Sequence, residues 1–263
     1  MKIKEVTALL ESWAPMRYAE SYDNVGLLTG HPDQEVSGVL IAIDSTEEIV
    51  EEAIRLGHNL IIAHHPILFK GIKRLNGNNY VERAIIKAIK HDIALYAIHT
   101  NLDNVNSGVN HQIANLLGLQ NQTILLPKTG FTDPPIGSGM VGILPQTMDE
   151  VDFLIFLKTT MQLPLIKHTV LLNKPISKVA VCGGSGSFLI PAAMDAGAQV
   201  FITSDLKYHE YFDADRTIIL MDIGHFESER FTIGLIHQYI LSGCPGLAIV
   251  PTTLNTNPVQ YFL

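Results

Sequence analysis

Two stretches of this 263-residue chain lie on one another without a gap: IRLGHNLIIAHH from Ile54 to His65, and MDAGAQVFITSD from Met194 to Asp205. At the same offset VLIAID, Val39 to Asp44, falls on VAVCGG, Val179 to Gly184. Each copy reads as strand, helix, strand, with Gly57 or Gly197 as the helix stop. A strand–helix–strand unit implies parallel strands with the helix packed on the sheet. Any two such units look alike at this level, so duplication and coincidence both stay open. Either way the chain is expected to form two similar α/β lobes with mainly parallel sheets flanked by helices.

The pattern between and beyond the copies is consistent with that class. Ser45 or Thr46 caps STEEIVEEAIRLG, whose first turn is acidic. YVERAIIKAIKHD reads as a helix feeding the strand ALYAIHT, and GVNHQIANLLGL as the helix after it. The segment LPKTGFTDPPIGSG, Leu126 to Gly139, is dense in proline and glycine and is the expected domain boundary. It divides a first lobe, 1–127 joined by 230–263, from a second lobe, 128–229. Apolar residues make up 47% of the chain, enough for each lobe to have its own core.

Bulk charge narrows the partners. The formal net charge is -8 with no run of lysine or arginine, which argues against nucleic acid or an anionic membrane as the main partner. Cys182 and Cys244 are the two cysteines and form no CxxC pair, so neither a disulfide framework nor a thiolate zinc knuckle is indicated. A reducing compartment fits. MKIKEVTALLESW reads as an amphipathic helix rather than a signal peptide, and no apolar run is long enough to span a membrane. The expected location is cytoplasmic.

Polar residues suited to metal or proton chemistry concentrate at predicted strand ends. In AHHP, His64 and His65 are neighbours, and in a regular strand they would point to opposite faces. Pro66 holds His65 extended and ends the ladder, so the two imidazoles can address two neighbouring ions. Two successive histidines in an apolar strand would be costly to bury without partners. In GHFESE, His225 and Glu229 stand four apart and share one helix face, with Glu227 turned away. That spacing suits a ligand pair and equally a solvated helix start. In HTNLD, Asp103 is placed to bridge two cations, or to serve as a turn residue before the next helix. His99 reads as a ligand's partner or as a core histidine. The nitrogen and oxygen donor set lacks sulfur, which suits zinc, manganese or iron, and its size suits two divalent ions. Gly183 to Gly186, in CGGSGSF, offers backbone amides to an anion or simply makes a tight turn; it lacks the Walker lysine.

The ordered set SYDNVGL, AHHP, HTNLD, GGSG, SDLKYHE, GHFESE and NTNPVQYF resembles the Nif-three-like family, whose bacterial members carry the label GTP cyclohydrolase I type 2 homolog. The resemblance runs from about Ala14 to Phe262. It implies a ring-shaped homohexamer of two-lobed subunits with a dinuclear metal centre in the cleft between lobes. Carried over by motif, the ligands are His64, His65, Asp103 as the bridge, His225 and Glu229. His209 of SDLKYHE is implied as a proton donor or substrate contact. The chain departs from the family at Tyr22, where tryptophan is frequent, and is a short form without the inserted middle domain. The implied activity is hydrolysis of a nucleotide or related heterocycle, with GTP imidazole ring opening to dihydroneopterin triphosphate and formate as the named candidate. A metal-dependent phosphoesterase and a non-catalytic metal-binding or protein-interaction hexamer are the alternatives.

Overall fold

The computed structural model describes residues 1–262. They form two compact units, one of Met1–Leu102 with Thr232–Gln260, the other of Asp103–Phe231 with the chain end from Tyr261. In chain order the first unit holds α1 (Ile3–Trp13), β1 (Gly26–Thr29), β2 (Val39–Ala42), α2 (Glu47–Leu56), β3 (Leu60–Ala63), α3 (Tyr80–Lys90) and β4 (Ala94–Ala97). Helix α4 (Thr100–Asn104) spans the division. The second unit follows with α5 (Val109–Leu116), β5 (Gln120–Thr132), β6 (Pro135–Met148), α6 (Glu150–Thr160), β7 (Lys167–His168) and β8 (Ile176–Ser185). It continues through α7 (Ile190–Asp195), β9 (Val200–Ser204), β10 (Ile219–Asp222) and α8 (His225–Glu229). The chain then returns to the first unit with α9 (Thr232–Gly243) and β11 (Ile249–Pro251).

The first unit is built on the sheet β1-β4-β3-β2-β11, parallel throughout except for β1. Every residue of β2, β3 and β4 is buried, as in a sheet covered on both faces. Helix α2 starts where Thr46 accepts the Ile49 amide and stops at Gly57, whose left-handed φ of 70° ends it with little strain. Its Ile49, Val50 and Ala53 pack with Ala84 and Ala88 of α3 onto Leu40, Ile61 and Leu95 of the sheet. Full burial of each such branched side chain contributes roughly 1.5–3 kcal/mol.

The second unit has the sheet order β5-β6-β8-β9-β10-β7. Here the expectation of a mainly parallel sheet fails: β8, β9 and β10 run parallel, but β5, β6 and β7 are joined antiparallel. The reason lies in the proline- and glycine-rich segment. It is no linker but the distal part of a β5–β6 hairpin, with Leu126 opposite Ser138 and Pro127 opposite Gly137. Pro127 is tolerated because β5 is an edge strand. Gly137 admits the close approach, since a Cβ there would lie 2.2 Å from the Leu126 carbonyl oxygen. The boundary placed at 127/128 therefore moves to 102/103.

The apparent repeat extends to hydrogen-bond register. Val39, Leu40 and Ile41 pair with Leu60, Ile61 and Ile62 in the first unit; Val179, Ala180 and Val181 pair with Val200, Phe201 and Ile202 in the second. These are the pairs that the gap-free alignment superimposes. Gly57 and Gly197 share the left-handed conformation, at φ 70° and 71°. Among the described residues no helix is long and apolar enough to cross a membrane.

Candidate metal centre

In the first unit the donors gather past the C-terminal ends of β3 and β4, the edge on which open α/β sheets place their sites. Strand β3 ends at Ala63, yet the His64 and His65 amides still donate to Ala42 and Ile43 carbonyls, at 3.2 and 2.9 Å. Across from them, His99 follows β4. One ring nitrogen from each of His64, His65 and His99 lies within 4.8 Å of the others, and the His64 and His65 ring centroids are 5.1 Å apart. His64 is completely buried.

Each of these imidazoles is held at Nδ1 by an oxygen. His64 Nδ1 lies 2.8 Å from the Ile98 carbonyl, His65 Nδ1 2.8 Å from Asp44 Oδ1, and His99 Nδ1 2.9 Å from both oxygens of Asp23. A carbonyl or carboxylate oxygen only accepts, so in the neutral ring the proton sits on Nδ1 and the lone pair on Nε2. Proteins that bind metals through histidine use this arrangement to fix the tautomer and aim the ligating nitrogen. Asp23 is itself bound by the Thr100 amide and hydroxyl and by the Asn24 amide.

In the second unit, β10 ends at Asp222, and the left-handed Gly224 turns the chain into the single-turn helix α8. His225 and Glu229 share a face as their spacing predicts: Nε2 lies 3.1 Å from Glu229 Oε2, and Nδ1 2.6 Å from Asp205 Oδ2. Burial lowers the His225 pKa, but the hydrogen bonds and charges of Asp205 and Glu229 outweigh it and push the ring up to about 11. A site that holds a proton this firmly is electrostatically prepared for a cation. Glu227 points away, as expected, and accepts from the Tyr261 hydroxyl at 3.3 Å. The segment HFESERFTIGLIHQYIL forms two helices, α8 and α9, rather than one.

The glycine stretch has a role different from an anion cradle. Gly183 N donates to Asn110 Oδ1 and Gly184 N to Ser228 Oγ, both at 2.9 Å, so these amides already have side-chain acceptors. What glycine provides is space: a Cβ on Gly184, at φ 62°, would stand 2.3 Å from Glu229 Oε1. Asp103 sits in α4, where its carbonyl accepts from Asn110 Nδ2 at 3.1 Å. Burial, together with the charges of Asp103 and Glu229, pushes the neighbouring Cys182 thiol pKa up. Asp103 belongs to no set of three donor atoms within 4.8 Å of one another among the described residues. His209 is exposed on the 3-10 helix Tyr208–Ala214, its ring 5.2 Å from that of Tyr208 and 6.3 Å from that of Phe212, outside the donor groups.

The residues present fit divalent metal. The donors are imidazole and carboxylate, the imidazoles are oriented through Nδ1, and Ser204 Oγ is buried at the end of β9 with no hydrogen-bond partner among the described residues. Sequence reasoning missed the three orienting carboxylates, Asp23, Asp44 and Asp205. Each had a signal: it stands in SYDNVGL, at the end of VLIAID, or beside Ser204 at a strand end.

Fold and site together define a class, the two-sheet α/β proteins whose strand ends carry histidine and carboxylate groups able to hold metal. Within it, the chain belongs to the Duf34/NIF3 (NGG1p interacting factor 3) family, whose model matches residues 1–258. A Clostridium perfringens (strain 13 / Type A) relative described as "GTP cyclohydrolase 1 type 2 homolog" is 35% identical over 230 residues, 87% of each chain. A Staphylococcus aureus (strain MRSA252) relative of the same description is 29% identical over 366 aligned residues, covering 99% of this chain and all of that one. An alignment that long against 263 residues means that this relative carries an insertion absent here. Among solved structures, a Staphylococcus aureus hypothetical protein matches with a TM-score of 0.90 at 34% identity, covering 100% of this chain and 99% of that one. A Bacillus cereus protein related to NIF3 matches with a TM-score of 0.91 at 25% identity and the same coverage.

Proposed function

We propose that the protein is a dinuclear metal-dependent hydrolase acting on a nucleotide or related heterocycle, with GTP imidazole ring opening as the candidate reaction. The observation that carries the reading is the common posture of the histidines. His64, His65 and His225 are each anchored at Nδ1 by an oxygen, which aims Nε2 as the ligating atom, in His225 beside the carboxylate of Glu229 that would share the ion. The names of the relatives supply the candidate reaction.

In this reading His64, His65, His225 and Glu229 hold two divalent ions, zinc, manganese or iron, with Asp103 as the bridge. When bound, such ions supply Lewis acidity and a water of lowered pKa. The chain's own residues do the rest. Ile98, Asp44 and Asp205 orient the three imidazoles through Nδ1, and His64 and Glu229 are buried. His209, exposed beside Tyr208 and Phe212, is assigned to contact the substrate or pass a proton to it. The subunits are assigned to a homohexameric ring.

The test is a nucleotide panel incubated with protein reconstituted separately with zinc, manganese or iron, with products identified by mass. Formate and dihydroneopterin triphosphate from GTP are expected. Free phosphate would make the protein a phosphoesterase. No product with any metal, with Asp103→Ala losing metal but keeping the hexamer by native mass spectrometry, would make it a non-catalytic metal-binding ring.

A further inference from the structure

The C-terminal motif NTNPVQYF has no part in the reading above, yet one of its side chains reaches the support of a ligand. Thr256 Oγ donates to Asp44 Oδ2 at 2.5 Å, and Asp44 Oδ1 lies 2.8 Å from His65 Nδ1. The two oxygens of one carboxylate thus engage a proposed ligand on one side and a hydroxyl 212 positions later on the other. We propose that Thr256 is a positioning residue for His65, acting through Asp44, so that the C-terminal segment completes the site. The inference rests on the reading of His65 as a metal ligand.

Three features of the first unit support it. Asp44 follows β2 with about a third of its side chain exposed, and a carboxylate held at one oxygen can still swing about its last torsion. The Thr256 hydroxyl on the second oxygen narrows that torsion. Threonine does so as a neutral donor, so Asp44 keeps its full charge for the imidazole, where a lysine would compete with it.

The segment that presents Thr256 is also fixed independently of Asp44. Strand β11 pairs in parallel with β2, and the Thr252 amide continues that pairing by donating to the Ile41 carbonyl at 2.8 Å. The buried Glu52 of α2 then accepts from the hydroxyls of Thr252 and Thr253 and from the Thr253 amide. Just beyond, Asn255 Oδ1 accepts the Asn257 amide at 3.0 Å, closing a turn around Thr256. A hydroxyl delivered by so constrained a loop arrives with little entropy left to lose.

The experiment compares Thr256→Val, which keeps shape and removes the donor, with Thr256→Ser, which keeps the donor. Zinc affinity of the full-length protein is measured by chelator competition, and the visible spectrum is recorded after cobalt substitution. Loss of an outer-shell partner weakens metal binding 10–100-fold, and one shell further out the low end is expected, about tenfold for valine and within twofold for serine. The cobalt bands should change with valine alone. In an Asp44→Asn background the valine change should cost nothing further. Should the valine protein fail to fold, Thr256→Cys, a weaker donor, is expected to bind zinc more weakly than serine but by less than tenfold, and wild-type affinity in that variant would overturn the proposal. Wild-type affinity and cobalt spectrum in Thr256→Val, or an equal cost with and without Asp44, would overturn the proposal. His65→Ala is run beside them: if it too leaves zinc binding unchanged, the ligand reading of His65 fails, and if it abolishes binding while valine is silent, only the role of Thr256 fails.

Discussion

His99 and Asp23, 76 positions apart in sequence, form a closed pair in which one imidazole nitrogen meets both carboxylate oxygens at 2.9 Å. Burial raises the Asp23 pKa, but the hydrogen bond and charge of His99, with hydrogen bonds from Thr100 and Asn24, outweigh it and hold the carboxyl at about 2. His99 is thereby fixed beside His64 and His65, its ring 5.3 Å from each.

The folded Asp23 pKa lies below its ordinary value of 3.8, so its contribution to stability is complete above that value and is lost as pH falls through about 2. Asp23→Asn should cost on the order of 2 kcal/mol at pH 7. Urea unfolding across pH should show the gap to wild type closing in acid; a gap of constant size would show that the carboxylate charge plays no part.

His225 shifts the other way, from 6.5 to about 11. Its contribution to the metal-free protein is complete below pH 6.5 and lost as pH rises through 11, so His225→Gln should flatten the alkaline fall in stability. At pH 8 the wild-type ring is protonated, and metal uptake must displace that proton. Calorimetric titration with zinc in buffers of different ionisation enthalpy should register a proton release that the glutamine variant lacks.

His65→Ala should lose metal while remaining folded, with far-ultraviolet circular dichroism unchanged, because the ring is partly exposed. His209→Ala should keep full metal content, since that ring lies outside the donor groups. Metal analysis of the purified proteins separates these outcomes; unchanged stoichiometry in His65→Ala would remove the two-ion reading of the His64–His65 pair.

Gly184→Ala places a methyl 2.3 Å from Glu229 Oε1, well inside contact distance, and forces alanine to adopt φ 62°. The backbone cost is about 1–2 kcal/mol. Displacement of Glu229 should weaken metal binding as well, so a variant that is less stable but binds zinc normally would separate the glycine from the site.

Much of this was legible in sequence because strand ends are where α/β proteins place chemistry, and short apolar strands followed by polar residues mark those ends. AHHP and the four-residue spacing of His225 and Glu229 could be read directly. The hairpin of the second unit could not: Pro127 and Gly137 are punctuation in most contexts, and only the edge position of β5 for the proline and the close approach of Leu126 for the glycine make them compatible with strands. Nor could the pairing of the orienting carboxylates, because Asp23, Asp44 and Asp205, each in a visible motif, reach their histidines across 76, 21 and 20 positions. Local pattern carries no information about contacts of that span.

The two cysteines divide between the two units, Cys244 in the first and Cys182 in the second. Both are buried, and burial, joined by nearby carboxylates, pushes both thiol pKa values up. Alkylating reagents attack the thiolate, so neither sulfur can be labelled until its surroundings open. The chain therefore carries one built-in clock per unit. The labelling rate of each cysteine, followed by peptide mass, reports how often its unit opens, and whether metal slows both clocks or only one.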